Sequence, residues 1–186
     1  MKCFNDAQLD MRNAYHHGAP GVLCSGLVWL IAGLVAVFSS AVAGILTLVI
    51  AGMLIFPASV LVCKLLGRTG KHFITNPLAP LAIEGTFWML LSIPIALVLA
   101  IDQPQYFFPA MMLVIAGRYL TFRTLYGLKT FYLFSAVLVA AAFAIVAAQS
   151  PPYVAGIVGG LIEIGFAIGL FVIAKSDTTN LAIERA

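Results

Sequence analysis

Long apolar runs, each broken by a short cluster of polar or helix-ending residues, divide the chain into six segments at 18–38, 42–66, 79–101, 107–126, 129–148 and 152–174. Each is close to the ~20 residues an α-helix needs to cross the hydrocarbon core of a bilayer. The breaks fall at Ser39-Ser40, the stretch from Gly67 to Asn76-Pro77, Asp102-Gln103-Pro104, Gly127 and Ser150-Pro151-Pro152, all residue types that stop or restart helices. Connections this short force antiparallel neighbours. The pattern therefore predicts an all-α integral membrane protein of six transmembrane helices in three hairpins, with a transmembrane domain over 18–174. Ahead of it, residues 1–17 carry Phe4, Ala7, Met11, Ala14 and Tyr15 at helical spacing, with Asp6, Asp10, Arg12 and Asn13 elsewhere around the wheel. That reads either as a short helix lying on the membrane interface or as a frayed terminus. Residues 175–186 form a polar tail, expected to be mobile from Ser176 on.

Composition excludes a soluble fold. Of 186 residues 62% are apolar and 9% charged, with a mean hydropathy of +1.07, against about a quarter charged in soluble domains. Six spans use nearly the whole chain, so no extramembrane domain of ordinary size fits. A net charge of +3 would suggest nucleic acid in a soluble protein; in a membrane chain basic residues report orientation instead. Nine of the ten Lys and Arg residues flank the even-to-odd connections and the termini, namely Lys2, Arg12, Lys64, Arg68, Lys71, Arg123, Lys129, Lys175 and Arg185. The positive-inside rule then puts both termini in the cytoplasm, as a multi-pass protein of the inner (plasma) membrane. Tyr106, Phe107, Phe108 and Tyr153 would form the outer aromatic belt, and Tyr15, Tyr126 and Tyr132 the inner one. Cys3, Cys24 and Cys63 are odd in number and lack CxxC spacing, which indicates reduced thiols. The first apolar run is too long for a signal-peptide core and is expected to be retained.

Three ionisable residues lie well inside the spans: Glu84, Arg118 and Glu163. A charge at the centre of a span costs about 2.5–3.5 kcal/mol on insertion scales, so each should face protein or water. Glu163 is ~16–18 Å from either end of its span and is the deepest acid; Arg118 at ~12 Å and Glu84 at ~8 Å from the basic end are close enough in depth for Arg118 to pair with either carboxylate. One reading makes the three a substrate, ion or proton pathway. The other has the arginine lock the bundle through one glutamate. Gly156, Gly160, Glu163 and Ala167 share one face of the last span, while Gly165 and Gly169 make a small stripe on the opposite side, so that span should be packed on two sides and a homo-oligomer is expected. Pro57 and Pro94 should kink the second and third spans and free a carbonyl in each. Trp29 and Trp88 are candidates either for stacking in a cavity or for the core.

Ser25-Gly26-Leu27-Val28-Trp29 resembles Glu84-Gly85-Thr86-Phe87-Trp88, and Leu48-Val49-Ile50-Ala51-Gly52 recurs as Leu113-Val114-Ile115-Ala116-Gly117, the pattern of a duplicated hairpin. No span holds a histidine, and His16, His17 and His72 lack metal-ligand spacing, so neither haem, metal nor any other cofactor is expected. The nucleophile elbow and the P-loop are absent, which argues against an enzyme. Asn76-Pro77-Leu78-Ala79-Pro80-Leu81 resembles the Asn-Pro-x-Pro-Leu motif of six-span acetate and succinate transporters, with one extra residue and ahead of the third span rather than the first; no site residue is carried over from it. The sequence thus points to a small transporter or channel, coupled to a proton or another small solute through Glu84, Arg118 and Glu163. A membrane scaffold, in which those charges only fasten helices, is the alternative.

Overall fold

The structure is a computed structural model that describes residues 4–183, with side chains through residue 176; Lys2, Cys3, Arg185 and the side chains of the expected polar tail beyond Ser176 lie outside the described residues. Every regular element among them is helical: α1 (Phe4–Tyr15), α2 (Ala19–Phe38), α3 (Ala41–Gly52), α4 (Ile55–Leu65), α5 (Ala79–Asp102), α6 (Phe107–Tyr126), α7 (Thr130–Ala147) and α8 (Pro152–Ile183), with 3-10 turns at His16–Gly18 and Pro104–Tyr106. Four stretches are long and apolar enough to cross a membrane, Phe4–Phe38, Ala79–Asp102, Thr130–Ala147 and Pro152–Ser176, and the bent pair α3 and α4 makes a fifth if it counts as one span. α6 is not among them. It carries Arg118 and Arg123 and lies enclosed, packed by α5, α7 and α8.

Two expected elements differ from the observed ones. The second span is not one kinked helix but two, bent by 53° at Met53-Leu54. The cause is four residues downstream: Pro57 has no N–H to return to the Met53 carbonyl, and the amides of Met53 and Leu54 instead close tight bonds to Ile50 and Ala51 at 3.2 and 3.0 Å. Pro94, by contrast, is accommodated inside a continuous α5. The last helix runs on to Ile183 rather than ending at 174.

The tightest packing joins the first and last apolar helices. α2 and α8 meet glycine to glycine: a Cβ built on Gly33 would stand 2.7 Å from the Ile157 nitrogen, one on Gly156 2.7 Å from the Gly33 Cα, and one on Gly160 2.7 Å from the Leu30 nitrogen. Lipid is as apolar as leucine, so helices in a bilayer associate through close van der Waals packing, which small residues permit. Gly165 and Gly169 meet nothing within 4 Å. Within the chain α2 covers the Gly156/Gly160 face of α8, and α6 and α7 pack beside it through Glu163 and Phe166, so the Gly165/Gly169 stripe is left without an intramolecular neighbour. A second layer of packing is aromatic. Tyr119 stacks on Phe134 at 4.1 Å and Phe134 on Phe166 at 4.3 Å, tying α6, α7 and α8 together, while Ser135 donates to the Ala116 carbonyl at 2.9 Å. Phe107 and Phe108, expected in an interfacial belt, are fully buried instead, Phe108 edge-on to Trp29 at 5.9 Å.

α1 closes the end of the bundle that carries most of the basic residues. Ala7, Met11 and Ala14 are buried beneath it; Gln8 donates to the Thr124 carbonyl at 2.8 Å and Arg12 to the Tyr126 carbonyl at 3.0 Å. The connection 66–78 is pinned to it as well. Asn76 donates to the Ala7 carbonyl and to Asp10, at 3.0 and 2.6 Å, and accepts from the Leu78 amide at 2.9 Å, while the Gly70 amide donates to the Ala14 carbonyl at 3.0 Å. Segment 1–17 thus contains a docked helix, not a frayed end. The joint to α2 turns through three successive left-handed residues, His16, His17 and Gly18, and a Cβ on Gly18 would sit 2.8 Å from the Tyr126 ring.

The glycine contact gives a direct expectation. Gly33→Ala and Gly160→Ala each force backbone apart and should cost about 1–3 kcal/mol, lowering the melting temperature in detergent. Gly165→Ala and Gly169→Ala, facing open space, should leave it unchanged or raise it, since alanine favours a helix interior by ~1 kcal/mol over glycine.

Candidate functional site

The glycine face of α8 fixes where Glu163 goes. One turn beyond Gly160, its side chain enters the α2–α8 seam beside Gly26, on which a built Cβ would be 3.0 Å from the Glu163 Cβ. The residue is 1% exposed. The Tyr119 hydroxyl donates to Glu163 Oε1 at 2.7 Å, and the buried Ser25 of α2 is the next polar neighbour. Glu163 Oε2 makes no hydrogen bond. A carboxyl group is thus held among apolar helices by one phenol, with an oxygen left over and no cation bonded to it. Such an arrangement is costly for a bare carboxylate and chemically suited to holding a proton on the free oxygen, next to a hydroxyl that can accept or pass one.

Arg118 is only one residue from Tyr119, but the helix turns it ~100° away. It crosses the α5–α6 seam, where it donates to Met89 Sδ at 2.9 Å and Thr86 Oγ1 at 3.3 Å, and its guanidinium lies 5.6 Å from the Phe122 ring centre. Neither glutamate is its partner. Glu84 faces outward from α5 and makes no hydrogen bond or ion pair with the rest of the described chain. The helical wheel explains this: Thr86 and Met89 sit ~160° and ~140° around α5 from Glu84, so a guanidinium that reaches the first two cannot reach the third. The expected three-residue pocket is therefore corrected. Glu163 lies in the α2–α8 seam, Arg118 between α5 and α6, and Glu84 on the outer surface.

Tyr119 and Ser25 belong to the site although the sequence reading did not single them out. Their signal was available in spacing: Ser25 adjoins Gly26, whose lack of a side chain lets α8 approach, and Tyr119 is the only buried hydroxylated aromatic in the middle of α6. What the sequence lacked was the pairing of α6 with α8. The paired Gly-x-x-Trp segments also part company, since Trp29 is 2% exposed in the core and Trp88 is 59% exposed on α5. Among the described residues no group of three His, Cys, Asp or Glu side chains is placed to hold a metal.

A double-mutant cycle tests the Tyr119–Glu163 bond. Tyr119→Phe should cost about 1–3 kcal/mol by leaving a buried acceptor without its donor. Combining it with Glu163→Met should restore part of that loss, because two apolar groups of similar size need no partner; thermal unfolding in detergent reads both.

No curated protein and no solved structure matches the chain. A family model does match, over residues 4–173, nearly the full length, and the chain accordingly belongs to DUF7010, a family of unknown function.

Proposed function

We propose that this protein is a small multi-pass membrane transporter or channel in which Glu163 is the group that binds and releases a proton. The observation that carries this reading is the unpartnered Oε2 of a carboxyl that is 1% exposed and has no cationic partner. Ionisable side chains inside membrane spans mark ion and substrate pathways more often than they serve as fasteners. Tyr119 positions the carboxyl, and Ser25 offers a second hydroxyl beside it. Arg118 acts at a different place, holding α5 against α6 through Thr86 and Met89. No enzymatic step and no cofactor is part of the proposal.

A scaffold or accessory-subunit reading draws on the enclosure of Glu163, since a sealed polar contact can simply fasten helices. That reading expects polar groups to satisfy one another completely, as Asn76 and Asp10 do at the basic end. Glu163 is not satisfied in that way. The orientation proposed with the transport function has both termini in the cytoplasm, with six crossings: α2, the bent α3–α4 pair, α5, α6, α7 and α8. The gathering of Arg12, Lys64, Arg68, Arg123 and Lys129 around α1 and the connection 66–78 supports that orientation through the positive-inside rule. The membrane is the plasma membrane, and the working unit is a homo-oligomer, for which the uncovered Gly165 and Gly169 of α8 leave room.

Two measurements test these statements. In liposomes loaded with a pH-sensitive dye, the wild-type protein should dissipate an imposed pH gradient, while Glu163→Gln, which keeps shape and hydrogen bonding but cannot ionise, should abolish that response without loss of the folded state. Retention of full flux by Glu163→Gln would remove Glu163 from the pathway. For topology, an impermeant thiol reagent applied to intact cells should label Ser150→Cys and spare Gly70→Cys in a cysteine-free background; the reverse labelling would invert the orientation.

A further inference from the structure

α5 is the least enclosed of the candidate spans, and its uncovered side is not purely apolar. Glu84, Phe87, Trp88, Leu91 and Ile95 recur at spacings of three and four, so they form one stripe; Glu84 is exposed, and the four others are exposed by 61, 59, 71 and 66%. An acid ~8 Å inside its helix and without a partner in the chain is unfavourable against lipid. It calls for a cation at the same end of the membrane.

A stripe of the opposite kind lies on another edge. On α4 and its N-cap residue Leu54, the side chains of Leu54, Leu61, Lys64 and Leu65 share one side, with Leu54, Leu61 and Leu65 exposed by 63, 59 and 79% and Lys64 exposed beside them. α4 is carried by α2, whereas α5 is carried by α6, so the two stripes belong to different edges of the molecule. They match in three respects. Both are apolar over about three turns, both have their charge toward the basic end, and the charges are opposite, with the long lysine stem able to reach along the helix toward the deeper acid.

We propose that a second copy of this chain docks its α4 stripe on α5, with Lys64 of one copy beside Glu84 of the next, in a head-to-tail contact. A two-fold contact of α5 on α5 would instead oppose Glu84 to its own copy, like charge to like charge, which interfaces avoid. A contact between two different surfaces closes into a ring when the rotation permits. Gly165 and Gly169 leave space for a neighbour but carry nothing that selects one. The inference rests on reading α4 and α5 as membrane helices, and it is independent of proton exchange at Glu163.

Charge exchange tests it, because both residues are exposed and neither supports the fold of the single chain. By native mass spectrometry from mild detergent, the wild type should be oligomeric, and Glu84→Lys and Lys64→Glu should each shift the population to monomer. The double variant Glu84→Lys/Lys64→Glu should recover the oligomer. The two single variants, expressed together with different tags, should co-purify with each other more strongly than either does with itself. As a measurement that leaves both charges in place, Leu61→Cys combined with Phe87→Cys, each three residues deeper than its charge, should give a ladder of oxidatively cross-linked species in native membranes. A monomeric wild type, a double variant no better than the singles, an effect of Glu84→Lys without any effect of Lys64→Glu, or absence of the ladder would each overturn the proposal. Glu163 is unchanged in every variant, so the liposome response reports on proton exchange separately from these outcomes.

Discussion

The α2–α8 seam is the contact on which the other features depend. Two helices distant in sequence approach until their backbones touch at Gly33–Gly156 and around Gly160, where Leu30 and Gly26 lie opposite. In a bilayer no water is gained by burying leucine against leucine, so stability comes from the number of close atomic contacts and from polar groups that find partners. Glycines supply the first by removing side chains from the seam. The approach then brings Glu163 to the backbone of α2, one turn from the tightest point, where nothing larger than Gly26 would leave space for it. A single alanine in the seam would therefore disturb both the packing and the position of the carboxyl.

α6 and α7 complete the enclosure. Tyr119 serves two roles at once: its ring stacks against Phe134, and its hydroxyl holds Glu163. Because the ring is fixed between other aromatics, the hydroxyl is delivered to the carboxyl with little freedom left to lose on forming the bond. The closed end of the bundle is organised differently. There the partners are backbone carbonyls and amides, reached by Gln8, Arg12, Asp10 and Asn76, and α1 is held by directional bonds as much as by its apolar face. The segment Asn76 to Leu81, which resembles a transporter motif, has a local structural task in this chain: Asn76 joins α1 to the start of α5.

The three intramembrane charges show three solutions to one energetic problem. Glu163 is sealed with a single donor, Arg118 is spread over a sulfur, a hydroxyl and an aromatic ring between two helices, and Glu84 is turned out of the chain. Only the first leaves a buried oxygen unbonded. This asymmetry separates a candidate proton site from a fastener and from a docking residue, although all three carry the same insertion penalty when considered one at a time.

Helix positions were legible in the sequence because they follow from local chemistry: apolar runs of membrane length, Gly127 and Ser40 at helix ends, and proline where an amide is dispensable. The shared face of Gly156, Gly160 and Glu163 was legible too, as a consequence of helical periodicity alone. Whether Pro57 bends a helix or breaks it was not, since the outcome depends on how α2 packs against the two halves. Nor could depth along a span say which way a charge points; Arg118 and Glu84 are close in depth, yet stand on opposite sides of α5. The partner of Glu163, the burial of Trp29 against the exposure of Trp88, and the docking of α1 all require knowing which helices are neighbours. That was decided by side-chain shape across the α2–α8 and α6–α8 seams, a property of residues more than 40 positions apart, whereas the sequence pattern reports only what a helix can do by itself.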